Sequence, residues 1–180
     1  MRRLLALAVV LTFTSMADAA PPEALHLVVK KSERRLLLYT VHGAGSERLV
    51  KSYRVALGTR PSGPKQDRGD GATPEGEYYV THGNPRSRFH LSLGLSYPNL
   101  SDAERGLRRG VISREEQERI AQAIGQGARP PQDTKLGGDV FVHGGGSSSD
   151  WTAGCIALED ADIDELFARV PTRTRVSILP

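Results

Sequence analysis

From Val142 to Leu158 the chain reads V-H-G-G-G-S-S-S-D-W-T-A-G-C-I-A-L. V-F-V-H (140–143) and G-C-I-A-L (154–158) have the composition of two short strands, and the glycine- and serine-rich span between them that of a loop. Paired as neighbours, the first strand ends on His143 and the second starts at Cys155. The eleven-residue loop then brings both side chains to one end of a sheet. Cys155 is the only cysteine in 180 residues.

Strand patterning spreads outward from this pair. L-H-L-V-V (25–29), R-L-L-L-Y-T-V (35–41), S-Y-R-V-A-L-G (52–58), E-Y-Y-V-T (77–81) and F-H-L-S-L-G-L (89–95) read as strands, and T-R-V-S-I-L closes the chain as another. Between Gly58 and Gly76 glycine and proline are dense, which marks a loop long enough to be functional or disordered. Gly69, Gly71 and Gly76 suit tight turns there. Ser113 and Glu116 form a capping box that predicts a helix over 114–125, with a shorter one near 101–109. A third helix opens at D-A-D-I-D-E-L, with Asp160 as its N-cap, Asp162 and Asp164 at its positive end, and Pro171 as its stop. Strands outnumber helices, so the expected fold is mainly β with a few helices packed on it.

The N-terminus M-R-R-L-L-A-L-A-V-V-L-T-F, closed by small residues at Ala17-Asp18-Ala19, reads as a secretory signal peptide over residues 1–20. Cleavage near Ala19 or Ala20 leaves one exported domain over 21–180 with no integral membrane segment, placed in the periplasm or cell envelope. The mature balance is then 22 basic against 20 acidic residues, after Arg2, Arg3 and Asp18 are lost from totals of 24 and 21. No basic stripe is interleaved with aromatics, so nucleic acid is not an expected partner. Exported proteins usually carry cysteines in pairs. A lone one is a buried inert residue, a link to a partner, or a thiol kept for chemistry.

The thiolate is the nucleophilic form, and an adjacent imidazole both draws off the thiol proton and can later protonate a leaving amine. Cys155 and His143 therefore form the minimum unit for acyl transfer. Gly154 allows close backbone approach, and exposed amides at that turn could hold an oxyanion. The plainer alternative is a strand end at His143 and a small core residue at Cys155. A metal site is a third alternative, but His42, His82 and His90 show no familiar ligand spacing. A catalytic Cys155 is expected to ionise well below the ordinary thiol value of about 8.5.

H-G followed at short distance by a hydroxyl residue, x-G-C-I and an acidic residue resembles the L,D-transpeptidase catalytic domain, the YkuD-type family. K-S-E-R-R-L-L-L-Y, V-A-L-G, G-P-K, G-D-G-A-T-P-E-G-E-Y, S-R-F-H-L-S-L and S-Y-P-N look like successive blocks of that family, over residues 25 to 179. The resemblance implies a β-sandwich-like domain that acts on peptidoglycan stem peptides without metal or cofactor. It implies Cys155 as the nucleophile, His143 as its base, the Gly144 carbonyl as the group that orients the imidazole, and amides at Gly154 and Cys155 as oxyanion donors. An amine acceptor for the acyl group gives a cross-link or an attached envelope protein, and water gives hydrolysis.

The chain departs from the family pattern in having Thr152-Ala153-Gly154 where Ser-His-Gly or Ser-Arg-Gly is common, and Ala157 where many members have arginine. Thr152 keeps a hydroxyl, but the grip on substrate must come from elsewhere. Arg86, Arg88, His90 and Trp151 are the candidates, with Arg88 and His90 read as sharing a strand face. Residues 102–132 resemble an insertion that is either a lid or a surface excursion. The rivals are a hydrolase, either carboxypeptidase or amidase, and a non-catalytic envelope-binding domain.

Overall fold

The computed structural model describes residues 24–180; the expected signal peptide lies outside the described residues. Eight strands, β1 (Ala24–Lys30), β2 (Arg35–His42), β3 (Ser46–Arg54), β4 (Gly76–Ser87), β5 (His90–Leu95), β6 (Phe141–His143), β7 (Ile156–Ala157) and β8 (Arg175–Leu179), form one sheet in the order β3-β2-β1-β8-β4-β5-β6-β7. Three helices, α1 (Leu100–Arg108), α2 (Arg114–Gly125) and α3 (Asp160–Arg169), accompany it. The mainly β class read from the sequence is the class observed.

The sheet has two halves that share β4. Gly76 to Tyr79 pair with β8, whereas Val80 to Ser87 pair with β5. The halves also meet at their far edges: Ala56, just beyond edge strand β3, exchanges two 2.9 Å hydrogen bonds with Ala157 of β7 at the opposite edge. Alternate residues of both halves (Leu27, Val29, Leu36 and Leu38 from one, Leu93, Leu95, Val142 and Ile156 from the other) enter a single apolar cluster capped by Ile163 and Leu166 of α3. Removal of this surface from water is the main stabilising force.

Several boundaries differ from the sequence reading. The strand expected over 52–58 starts at Ser46 and stops at Arg54; Ala56 and Gly58 form only isolated bridges. The strand expected over 89–95 begins at His90, because Ser87 pairs with His90 and leaves Arg88 and Phe89 as a two-residue hairpin turn. Arg88 and His90 thus do not share a strand face. The strand expected over 154–158 is reduced to Ile156 and Ala157. The helix over 114–125 is observed as read, with both capping-box bonds present.

Asp160 is not an N-cap. Glu159 holds that position without a side-chain cap, and Asp160 is the first helical residue. Both acids instead restrain the loop after His143: Asp160 Oδ1 accepts from the Gly145 amide at 2.8 Å, and Glu159 Oε1 accepts from the Ser147 amide and hydroxyl at 2.8 Å.

The long glycine- and proline-rich loop is ordered around two buried lysines. Lys31 Nζ donates to the carbonyls of Gly63 and Thr73 and to Glu75. Lys65 Nζ donates to Asp70 at 2.7 Å and to the Asp67 carbonyl at 3.0 Å. Burial pushes the Asp70 carboxyl up, but the amides of Gln66, Ala72 and Asp67 together with the Lys65 ammonium hold it down at about 2. Its contribution to stability is therefore complete above the usual carboxylate value of about 3.9 and lost as pH falls through about 2. Asp70→Asn strands a buried ammonium and is expected to cost about 3 kcal/mol in urea unfolding at pH 7. The difference from wild type should close as pH falls from about 4 towards 2; a difference unchanged by pH would mean the Asp70 charge is not what stabilises the loop.

Helices α1 and α2 pack on each other around Ala103, Ile112, Ile120 and Leu136. Tyr78 Oη donates to Asp102 at 2.9 Å, and Tyr97 Oη donates to the Leu136 carbonyl at 3.0 Å, which ties this unit to the sheet.

Candidate active site

β6 and β7 run parallel, with Val142 beside Ile156 and His143 beside Ala157. Cys155 immediately precedes β7, so in this parallel pair it stands at the start of its strand whereas His143 ends the other, and the expected meeting at one sheet end is not observed. Both line a cavity of about 590 Å³ whose wall also includes Arg86, Arg88, Phe89 and Trp151. Cys155 also borders a second cavity of about 240 Å³, with Lys65, Arg68 and Gly154. Neither cavity takes a lining residue from 102–132, so α1 and α2 do not form a wall over the thiol.

His143 is buried, and its Nδ1 lies 2.6 Å from the Gly144 carbonyl oxygen. A carbonyl can only accept, so Nδ1 carries the proton and Nε2 presents its lone pair. Phe89 stacks on the imidazole at 4.6 Å between centroids, and Trp151 meets it edge-on at 5.6 Å. Desolvation by these neighbours pushes the imidazole below its usual value; the Gly144 carbonyl opposes that shift, and the Arg88 charge adds to it. The ring is therefore neutral at pH 7.

Burial pushes the Cys155 thiol up, against the Phe141 amide and the Lys65 and Arg88 charges. This is opposite in direction to the low value expected from the sequence. Burial outweighs those groups and the Asp139 carboxylate adds to the rise, which favours the neutral thiol beside the neutral imidazole. Sγ points to the Asp139 carbonyl at 3.5 Å.

The turn before Cys155 is held from within. Thr152 Oγ1 accepts from the Gly154 amide at 3.1 Å and donates to the Cys155 carbonyl at 2.8 Å. Its hydroxyl is thus engaged with the backbone on both sides of the turn. The Gly154 amide is thereby already bonded to the Thr152 hydroxyl. Among the described residues the Cys155 amide meets no backbone or side-chain acceptor.

The other sequence candidates separate. Arg88 lies over the Phe89 ring, 4.5 Å from its centroid, at the cavity wall. Trp151 lines the same cavity and donates its indole N–H to the Gly146 carbonyl at 3.1 Å. His90 is outside the cavity, exposed, with Nε2 2.7 Å from Asp164 of α3.

Two contributors escape the sequence reading. Phe89 sits inside the quoted S-R-F-H block, but nothing in its spacing marks it as the ring against His143. Arg34, in the β1–β2 turn, makes a forked ion pair with Asp150, and Asp150 also accepts from the Leu57 amide at 2.9 Å. This pair anchors the residue that precedes Trp151. Among the described residues no group of three His, Cys, Asp or Glu side chains is placed to hold a metal ion, and no helix is long and apolar enough to cross a membrane.

The fold is similar to that of solved L,D-transpeptidase structures. An L,D-transpeptidase from Mycobacterium smegmatis superposes with a TM-score of 0.50 at 10% identity, over 88% of this chain and 59% of that one. The helical cell shape determining protein Pgp2 from Campylobacter jejuni superposes with a TM-score of 0.60 at 20% identity, over 87% of this chain and 47% of its own. At such identities the likeness speaks for the fold alone. Residues 24–178 match the YkuD family, the L,D-transpeptidase catalytic domain, and the chain belongs to that family. It is 27% identical over 144 residues to YafK of Escherichia coli K12, provisionally named an L,D-transpeptidase, a match that covers 79% of this chain and 45% of that protein. The chain thus spans about half the length of the curated relatives it matches.

Proposed function

We propose that the chain is a cysteine acyltransferase that acts on peptidoglycan stem peptides in the cell envelope after export. The observation that carries this reading is a lone thiol and a tautomer-locked imidazole on the wall of one cavity, in a chain of this family. His143 Nε2 takes the thiol proton as Cys155 Sγ attacks the carbonyl of the third stem residue. The Cys155 amide, and not that of Gly154, holds the oxyanion. Collapse breaks the amide bond, and the imidazolium returns its proton to the amine of the departing D-alanine. An amine or water then attacks the thioester, its proton passes through His143, and the thiol is restored. Access to Cys155 from two cavities leaves separate room for donor and acceptor.

Arg88 and Trp151 border the donor, and Thr152 and Gly144 position the catalytic pair. His90 has no assigned contact with substrate, since it faces Asp164. The test is mass spectrometry of the protein with a disaccharide-tetrapeptide muropeptide beside a Cys155→Ala control. Loss of alanine with a dimeric product is the expected result. Loss without a dimer makes the enzyme a carboxypeptidase, and an untouched muropeptide with no adduct on Cys155 turns the reading towards a protein-linked substrate or a binding domain.

A further inference from the structure

We infer that the tip of the β4–β5 hairpin reads a free carboxylate on the acyl donor through Arg86 and Arg88. This rests on the acyl-transfer reading and adds what the donor must carry. β4 is twelve residues long, and its end projects Arg86 and the turn residue Arg88 onto the wall that holds Cys155 and His143. Both side chains are exposed, and neither makes an ion pair among the described residues. Asp139 is the one carboxylate on that wall, and it is already bonded to Arg129 at 2.6 Å. The cavity therefore carries two uncompensated cations, and an anionic group is the complement they lack.

Arg88 is also held in place. Its guanidinium lies 4.5 Å from the centroid of Phe89, and that ring stacks at 4.6 Å on His143. A guanidinium held over a ring face keeps N–H donors available for a bidentate acceptor. The same charge, one ring away, lowers the basicity of His143. A carboxylate docked on Arg88 offsets that charge, so the group that places the donor also strengthens the base that begins the reaction.

Two carboxylates near the scissile bond share this chemistry: the terminal carboxylate of the leaving residue, and the side-chain carboxylate of a third stem residue such as diaminopimelate, a diamino acid that becomes the acyl group. Three synthetic tetrapeptide stems separate them, one with both carboxylates free, one amidated at its C-terminus and one amidated on the diamino side chain. Binding is followed in the Cys155→Ala protein by the fluorescence of Trp151, the single tryptophan of the chain, on the same cavity wall. One of the two amidations is expected to weaken binding about tenfold or more, and Arg88→Gln to weaken binding of the free stem by a similar factor while scarcely affecting that amidated stem. Arg86→Gln should behave in the same way. Equal binding of all three stems overturns the inference, as does an Arg88→Gln loss that is the same for every stem, which marks a structural role. Because binding is measured without turnover, a protein that discriminates carboxylates yet releases no alanine points to failure of the acyl-transfer reading and not of this one.

Discussion

Replacement of Cys155 by alanine should abolish release of the terminal residue from a stem peptide, and His143→Gln should lower kcat/KM by about a thousandfold, within the range of general-base catalysis. The larger information lies in the pH profile of the wild type. Burial holds the His143 imidazole below its usual value and the Cys155 thiol above its own. The reactive form is then the neutral pair, which needs His143 unprotonated and Cys155 still a thiol. Activity should fall on the acid side with a midpoint below about 6.5 and stay level to at least about pH 8.5. Alkylation of Cys155 by iodoacetamide should rise only on the alkaline side of about 8.5. A thiol that alkylates fully at pH 6, with activity lost on the alkaline side as an imidazolium gives up its proton, would show a preformed thiolate and imidazolium pair and sink this account. Simple inertness of the thiol is distinguished by the His143→Gln result, because an uninvolved imidazole leaves turnover unchanged.

The convergence of His143 and Cys155 on one cavity was legible because both lie in one short segment whose turn residues separate two apolar runs, but the parallel sense of β6 and β7 was not. The bounds of α2 were legible for a similarly local reason: Ser113 and Glu116 cap each other, and no distant contact is needed to place them. β3 was misplaced because it is an edge strand exposed from Ser46 to Ser52, so it has no buried face to impose a period of two. Its existence depends on the ladder with β2. Conversely, Tyr53, Val55 and Leu57 alternate into the core, yet from Val55 onward the chain makes only bridges to the far edge of the sheet. The hairpin at Arg88 and Phe89 lacks the glycine or asparagine that announces such turns, and His90 takes a φ of 71° to complete it. Asp160 had the composition of an N-cap, but the Gly145 amide claims its carboxylate. The roles of Phe89 and Arg34 come from contacts across the fold, which residue spacing does not encode.

Gly154→Ala should unfold about 3 kcal/mol more easily than wild type, roughly 6–12 °C in Tm for a chain of this size, and lose about a hundredfold in kcat. Two separate costs meet at this position. Its φ of 130° is one that residues with a side chain rarely adopt, and a Cβ there would stand 2.6 Å from the Ala72 carbonyl oxygen, which is backbone and cannot swing aside. Relief requires either the loop around Lys65 and Asp70 to retreat or the Thr152 to Cys155 turn to move, and the second displaces the thiol from the imidazole. Gly146→Ala separates the costs, since Gly146 has a φ of 104° and open space where its Cβ would lie. That variant should show only the conformational penalty, about 1–2 kcal/mol, with turnover nearly intact. If Gly146→Ala destabilises as much as Gly154→Ala, the clash with Ala72 is not the cause. If Gly154→Ala loses stability and keeps full turnover, the Ala72 loop yields and the thiol stays where Thr152 holds it.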